Sequence, residues 1–498
     1  MSDSQAFCAD DDDVAALHAI VSRIAIGGYS EAAVCERLGL KDICDLSMHA
    51  IPIYRQQRLR LRDPLAVAID LFLLQGCVPA GELGRLLDKD DCDVCSRTGI
   101  VAIDGAGVAR ALLSLFPVGN RLIFSDHAWP QLLKPENSPV PFDQVMFVGV
   151  DSRWLARATV RRPTGSCLDL CTGSGIQALC AASHAERVLA VDINSRAVFC
   201  TRFNAGIQGC RNLEALQGDL YGPAGAKKFD LITANPPFVP SPVDILGFRD
   251  GGRSGEDIQR RIVAGLPAHL APGGIAQIVT EIGERDGEPL TDRVRQWLGD
   301  AAMDFHVLRL RIHPADAYAT GHAHGETPGE FLESVGAWAE NLKAQGFTRI
   351  VSVLLAFQWS DPSIGPPWCR VDEAYPPKQD AGAEIEAAFA AERLTRDPGL
   401  RTRLAGAHLA RTGPIILKEG RVLGGDLPPT CAATLSGQAI AVEFPLDPIE
   451  RDLLDTLDNP TDVPTLMKLA HRIGVSREVV QDSLVSLLRK RLLTLLES

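Results

Sequence analysis

The segment Thr233–Pro240, TANPPFVP, places an asparagine directly after a short apolar run, Phe229–Ala234, and follows it with two prolines and a phenylalanine. Consecutive prolines remove two backbone donors and fix two φ angles, and a proline holds the residue before it extended. Neither a helix nor a central strand continues through such a sequence. Asn235 therefore stands on a stiff backbone at the end of a buried strand, with the Phe238 ring close by. Three acids share this setting. Asp169 stands near the end of the run CLDL and precedes a Thr172-Gly173-Ser174-Gly175 turn, after which a helix opens at Ile176. Glycines there let the backbone turn tightly and approach a ligand, and a helix start offers unpaired N–H groups. Asp192 ends VLAVD about twenty residues on, where an acid can hold ribose hydroxyls. Asp219, in LQGDLY, suits an exocyclic adenine amine. Each acid alone reads equally well as a strand-end cap or turn former. At consecutive strand ends they lie on one edge of a sheet, where open α/β sheets bind ligands.

Such an edge needs alternating strands and helices behind it, and the chain supplies them from about residue 151. Strands are expected over Cys167–Leu170, Val188–Asp192, Leu213–Leu216, Phe229–Ala234, Ile275–Glu281, Phe305–Arg311 and Ile350–Phe357. Helices are expected over Ile176–Ser183, Ser195–Ile207, Asp257–Leu270, Leu290–Leu298 and Glu330–Gln345. This alternation predicts an α/β fold with a parallel, doubly wound, seven-stranded Rossmann-like sheet over residues 146–360. Residues 1–145 read as a winged-helix-like α+β domain, with helices in DPLAVAIDLFLLQG and VPAGELGRLL and a hairpin in ARALLSLF-PVGN-RLIF. Residues 361–498 read as a C-terminal extension that is mainly helical. There Val463, Leu466 and Leu469, then Val480, Leu484 and Leu487, have helix-turn-helix spacing. A packed helical hairpin without nucleic acid is the preferred reading of that pair.

Asp-x-Cys-Thr-Gly-Ser-Gly, Val-Asp-Ile, Gly-Asp-Leu and Asn-Pro-Pro-Phe, in that order, resemble the class I S-adenosylmethionine (SAM) methyltransferases. The nearest resemblance is to the HemK-type glutamine N-methyltransferases and their small-methyltransferase relatives. GFRDGGRSGEDIQRR and LAPGGIAQIVTEIG also look like the HemK-type segment after Asn-Pro-Pro. The resemblance covers about residues 145–285 well and runs on to about residue 360, and the flanks do not match that family's usual helical substrate domain. It implies SAM as cofactor, with Asp169, Thr172, Gly173, Gly175, Asp192, Asp219 and Asn235 at its site. It implies catalysis by Asn235, Pro236 and Phe238. The Asn235 side-chain oxygen and the Pro236 carbonyl would accept both hydrogens of a planar –NH₂ group and stabilise charge developing on its nitrogen. Phe238 would stack on the planar group. The acceptor is then an amide or amine nitrogen, of a protein glutamine or a small molecule. The alternatives are a nucleic-acid base amine, in ribosomal or transfer RNA, and a non-enzymatic SAM-binding scaffold. The same glycine turn also fits a nicotinamide-dependent dehydrogenase, against which Asn-Pro-Pro-Phe argues.

Bulk properties narrow the partners. A net charge of −13 over 498 residues gives no general footprint for nucleic acid or anionic membrane. The basic clusters are short: YRQQRLRLR from Tyr54, RATVRRP from Arg157, and LRKRLL near the end. Read as solvated helix faces and linkers, they favour a protein or small-molecule acceptor over RNA. Thirteen cysteines, an odd count, suggest reduced thiols in a cytoplasm. No apolar run approaches the ~18–20 residues that cross a bilayer. Cys92 and Cys95, and the loop GHAHGE with His322 and His324, lack partners at metal-ligand spacing, so no metal is expected. Arg249, Asp250 and Glu256 read equally as pocket lining and as a charged surface loop. No feature specifies an oligomeric state.

Overall fold

A computed structural model of the chain describes residues 10–127, 143–243, 247–420, 430–472 and 474–496. Its centre is a mixed sheet whose strands are β1 (Thr164–Leu170), β2 (Ala185–Asp192), β3 (Leu213–Gln217), β4 (Phe229–Ala234), β5 (Leu270–Glu284), β6 (Met303–Pro314), β7 (Arg349–Trp359) and β8 (Cys369–Glu373). The spatial order is β8-β6-β7-β5-β4-β1-β2-β3. Only β7 runs against its neighbours, pairing antiparallel with β5 and β6. The seven expected strands are all present. The eighth, β8, pairs parallel with β6 and comes from the segment assigned by sequence to the C-terminal extension. The sheet therefore runs beyond residue 360. CRVDE carries three charges in five residues, a poor strand signal by composition, and its strand forms along the partner that β6 offers.

Burial on both faces explains the strand compositions. Along β1 and β4, successive side chains enter opposite cores, as a period of two demands. Leu168, Leu170 and Ile232 pack with Val263, Leu266 and Val294 on one face. Cys167 and Leu231 pack with Trp154, Leu155 and Ala178 on the other. The helices that supply these faces are α1 (Val150–Ala158), α2 (Ile176–Ala181), α3 (Ser195–Ile207), α4 (Asp257–His269) and α5 (Leu290–Leu298). Two more, α6 (Ala315–His322) and α7 (Pro328–Ala344), fill the connection between β6 and β7.

On the N-terminal side the chain is helical over Pro64–Leu73, then runs strand Cys77–Pro79, helices Ala80–Leu83 and Lys89–Arg97, and strands Val101–Ile103 and Val108–Ala111. The strand of 108–111 lies between the other two. The expected hairpin is narrower than its sequence suggested. Ala109–Ala111 belong to this small sheet, and the hairpin proper is Ser114–Val118 with Arg121–Ser125. The C-terminal region is less helical than expected. Helices Gly382–Arg396 (expected from sequence over Glu384–Leu394), Leu400–Leu404, Pro448–Thr456, Val463–Arg472 and Arg477–Arg489 are accompanied by two three-stranded sheets, one made of His408–Arg411, Thr461–Asp462 and Leu493–Leu496. Strands of two to six residues carry too little alternation to be seen in a sequence.

Candidate active site

Register decides what meets at the sheet edge. Leu170 of β1 lies opposite both Val191 of β2 and Ala234 of β4. The next residues along the three strands are Cys171, Asp192 and Asn235, so the glycine turn, one acid and the asparagine emerge side by side. They border a cleft of about 580 Å³ together with Thr172, Gly173 and Asp219. Cys171 (φ 56) and Leu220 (φ 47), both bordering the cleft, are non-glycine residues in the left-handed region. Backbone in that region is costly and collects at ligand sites.

The carboxylate of Asp192 accepts from the Gly173 N–H (2.9 Å) and the Asn194 N–H (2.9 Å). Burial raises its pKa, opposed by these same N–H groups. Gly173 has φ +55 and open space where a Cβ would project, so the turn presents bare backbone. Ile193, next to Asp192, borders the cleft while 71% exposed. Asp219 stands at the rim and is ion-paired with Arg261 (2.6 Å).

Two residues expected at the cofactor lie away from the cleft. Asp169 is wholly buried. It accepts from Thr172 Oγ1 (2.7 Å), Thr233 Oγ1 (2.8 Å) and the Ala178 N–H (3.2 Å), and so ties β1 to β4 and α2. Burial pushes its pKa up to about 7 against the pull of these donors. Gly175, φ +86, faces α3: a Cβ there would lie 3.0 Å from Thr201 Cγ2. Its glycine is needed for helix packing rather than for contact with a ligand.

Asn235 donates from Nδ2 to Ser152 Oγ (3.0 Å). Its Oδ1 has no partner among the described residues. Ser152, near the start of α1, borders the cleft and was not singled out by sequence, because VDSRWLA carries no motif. Its carbonyl accepts from Gln177 Nε2 (2.8 Å), while the buried Gln177 Oε1 has no partner among the described residues and its side chain borders the cleft. Pro237 also borders the cleft, whereas Pro236 is buried and does not. Phe238 is 9% exposed and packs with Tyr318, Trp338 and Leu342 of α6 and α7, so its ring braces the loop and leaves little face for stacking.

The Asn-Pro-Pro loop is clamped from outside. The N–H groups of Phe238 and Val239 donate to the Arg249 carbonyl (3.1 and 3.0 Å). At Gly255, φ +74, a Cβ would come 2.2 Å from the Phe238 carbonyl oxygen. Of the three charged residues after the motif, Arg249 pairs with the buried Asp250 (2.7 Å) and Glu256 pairs with the buried Arg293. None borders the cleft. His322, expected in a solvated loop, instead ends α6 and stacks on Tyr318 with ring centroids 4.0 Å apart. Two further carboxylates lie beside the loop. Glu281 accepts from Tyr318 Oη (2.6 Å) and Ser352 Oγ (3.0 Å). Burial, then the Glu281 charge, pushes Asp151 up to about 7 against the Arg311 guanidinium.

The donors and acceptors fit a nucleoside with an amino-acid tail. The volume lies within the range of small-molecule sites. Asp192 is placed for two vicinal hydroxyls, and Ile193, Leu220 and Ile258 offer apolar faces for a planar base. The orphaned Gln177 Oε1 is an acceptor for an ammonium group.

Residues 148–296 match the family model of the methyltransferase small domain. Over 139 residues the chain is 40% identical to a ribosomal protein uL3 glutamine methyltransferase of Bradyrhizobium diazoefficiens, covering 25% of this chain and 42% of that one. It is 34% identical over 261 residues to a ribosomal protein uL3 glutamine methyltransferase of Bordetella pertussis, covering 49% and 79%. It is 33% identical over 136 residues to a putative protein N5-glutamine methyltransferase of Methanocaldococcus jannaschii, covering 26% and 68%. The match to the first of these spans less than half of that relative's length.

Proposed function

The chain belongs to the class I, HemK-type methyltransferases that carry the small domain, and from that premise we propose that it methylates the side-chain amide nitrogen of a protein glutamine. The observation that carries this reading is the pinned amide of Asn235. With Nδ2 given to Ser152, its Oδ1 is left to face the cleft as an acceptor.

When bound, SAM supplies an electrophilic methyl group. Asp192, Gly173 and Gln177 would hold it, with the apolar side chains of Ile193, Leu220 and Ile258 over the base. Asn235 Oδ1 accepts a hydrogen from the incoming amide and so orients its nitrogen. An amide lone pair is delocalised, so an acceptor on its N–H both aims it and stabilises the charge that develops on nitrogen. Positioning of this kind supplies a large share of the rate. Ser152 fixes which end of the Asn235 amide faces the acceptor. Asp169 acts at one remove, by holding Thr172 and the start of α2. The clamp from Arg249 to Gly255 restrains the loop that carries the asparagine.

The test is labelling of a lysate with methyl-tritiated SAM by the purified chain, followed by hydrolysis. Label in protein, released by acid hydrolysis of the side-chain amide as methylamine, is the expected result. Label lost on RNase treatment and retained after protease would transfer the reading to a base amine.

A further inference from the structure

A second cavity, of about 750 Å³, opens where the N-terminal region, the catalytic domain and the C-terminal extension meet. It lies on another face of α1 from the one that carries Ser152. Arg153 and Arg157, four residues apart and so on one side of α1, project into it, and Arg161 joins them from beyond the end of the helix. Arg121 comes from the hairpin turn and Lys378 from the segment after β8. Five cations thus line the cavity against two acids, Glu31 and Asp380, an excess of three. The cluster RATVRRP, read from sequence as a solvated linker, supplies two of them.

The acids do not use up the cations. Glu31 accepts from Arg153 (3.0 Å), Arg157 (2.8 Å) and the Gly119 N–H (3.1 Å), and Asp42, outside the cavity, takes the other side of Arg157. Asp380 pairs with Arg161. Arg121 and Lys378 have no carboxylate partner among the described residues. Arg153 is 4% exposed, and its Nε and Nη2 take no partner among the described residues. The fixed forks of arginine match the oxygens of a phosphate. Asn120, Gln208 and Gln379 add neutral donors and acceptors around the cations.

We propose that this cavity binds a small phosphorylated ligand, one carrying two or more phosphate charges, separately from the cofactor cleft. Convergence of the cations on one pocket, instead of a track along the surface, favours a small molecule over a nucleic-acid backbone. The cations face into a pocket of nucleotide size, and the chain as a whole, at −13, offers no basic track for phosphates to follow.

The test is calorimetric titration of the full chain with inorganic pyrophosphate at saturating S-adenosylhomocysteine, which keeps the cofactor cleft filled. One site per chain is expected. Arg121→Ala combined with Lys378→Ala should weaken it about tenfold or more, since charge-assisted contacts are lost. Neither residue is ion-paired to a carboxylate, so an unchanged melting temperature and unchanged S-adenosylhomocysteine affinity should accompany that loss. Arg187→Ala, at a side chain 75% exposed, should change nothing. Absence of pyrophosphate binding, or equal affinity in the double variant, would overturn the proposal. So would single-stranded polyuridylate binding more tightly than pyrophosphate and losing affinity in the same variant, which would assign the cavity to RNA.

Discussion

Ser152→Ala removes the acceptor that holds Asn235 Nδ2 at 3.0 Å and changes little else, because the contact with Gln177 is made by the Ser152 carbonyl. Without Oγ, the Asn235 amide can turn over and present a donor where an acceptor is needed. A neutral hydrogen bond contributes about 0.5–1.5 kcal/mol net, which corresponds to about a 2- to 13-fold loss in kcat. Asn235→Ala removes the acceptor itself, and a loss on the order of 10²-fold is expected for a preorganised polar group. The two effects should not add. If Ser152 works through Asn235, Ser152→Ala should be silent in the Asn235→Ala background, which a double-mutant cycle measures directly. The assay is single-turnover transfer from labelled SAM to the glutamine acceptor, with S-adenosylhomocysteine affinity measured in parallel and expected to stay unchanged. Additive losses, or a Ser152→Ala enzyme at the wild-type rate, would refute the positioning role.

Other substitutions probe the remaining parts of the site. Asp192→Ala should weaken S-adenosylhomocysteine binding by about 1–3 kcal/mol through lost charge-assisted hydrogen bonds, read by calorimetry. Gly255→Ala forces a Cβ to within 2.2 Å of the Phe238 carbonyl oxygen at φ +74; it should cost about 1–3 kcal/mol of strain, seen as a lower melting temperature and a lower kcat. Asp169 has its folded pKa raised from 3.8 to about 7 by burial. Between those values the folded chain holds a proton that the unfolded chain has released, so this group's contribution to stability falls as pH rises through that window. Asp169→Asn should therefore lack this fall: measured by urea denaturation, wild type should lose more stability than the variant between about pH 4 and about pH 7.

The parts of the site fixed by local rules were legible in the sequence. Gly173 and Asp192 reach the cleft because a strand end and a left-handed turn leave few alternatives for where they point. Asp169 misled because it lies one residue inside the strand end, at Leu170, and not on the edge itself. At period two, that turns its carboxylate away from the edge and into the space between β1, β4 and α2. Phe238 misled for a different reason. The rings that cover it come from α6 and α7, some 80 to 100 residues downstream, and no local pattern reports such a contact. Ser152 was invisible on the same ground, since its partner Asn235 is 83 residues away. The basic cluster after Arg157 looked like a surface because charge runs usually are; only the fold places its Arg157 and Arg161 in a cavity where three protein regions meet.

The strand β8 has a consequence for how the molecule can be divided. Its pairing with β6 spans Phe305–Arg309 against Cys369–Glu373, and beyond it Ala381 N–H bonds to the Arg157 carbonyl while Gly382 lies against the backbone of Thr159 and Val160. A chain cut after Trp359 would leave β6 as an open edge, with a row of unpaired N–H and C=O groups beside the apolar residues Phe305 and Val307. Such an edge is a template for pairing with another molecule. A catalytic fragment that ends at Trp359 should therefore self-associate into aggregates, whereas one that keeps α1 and extends to residue 396 should stay dispersed.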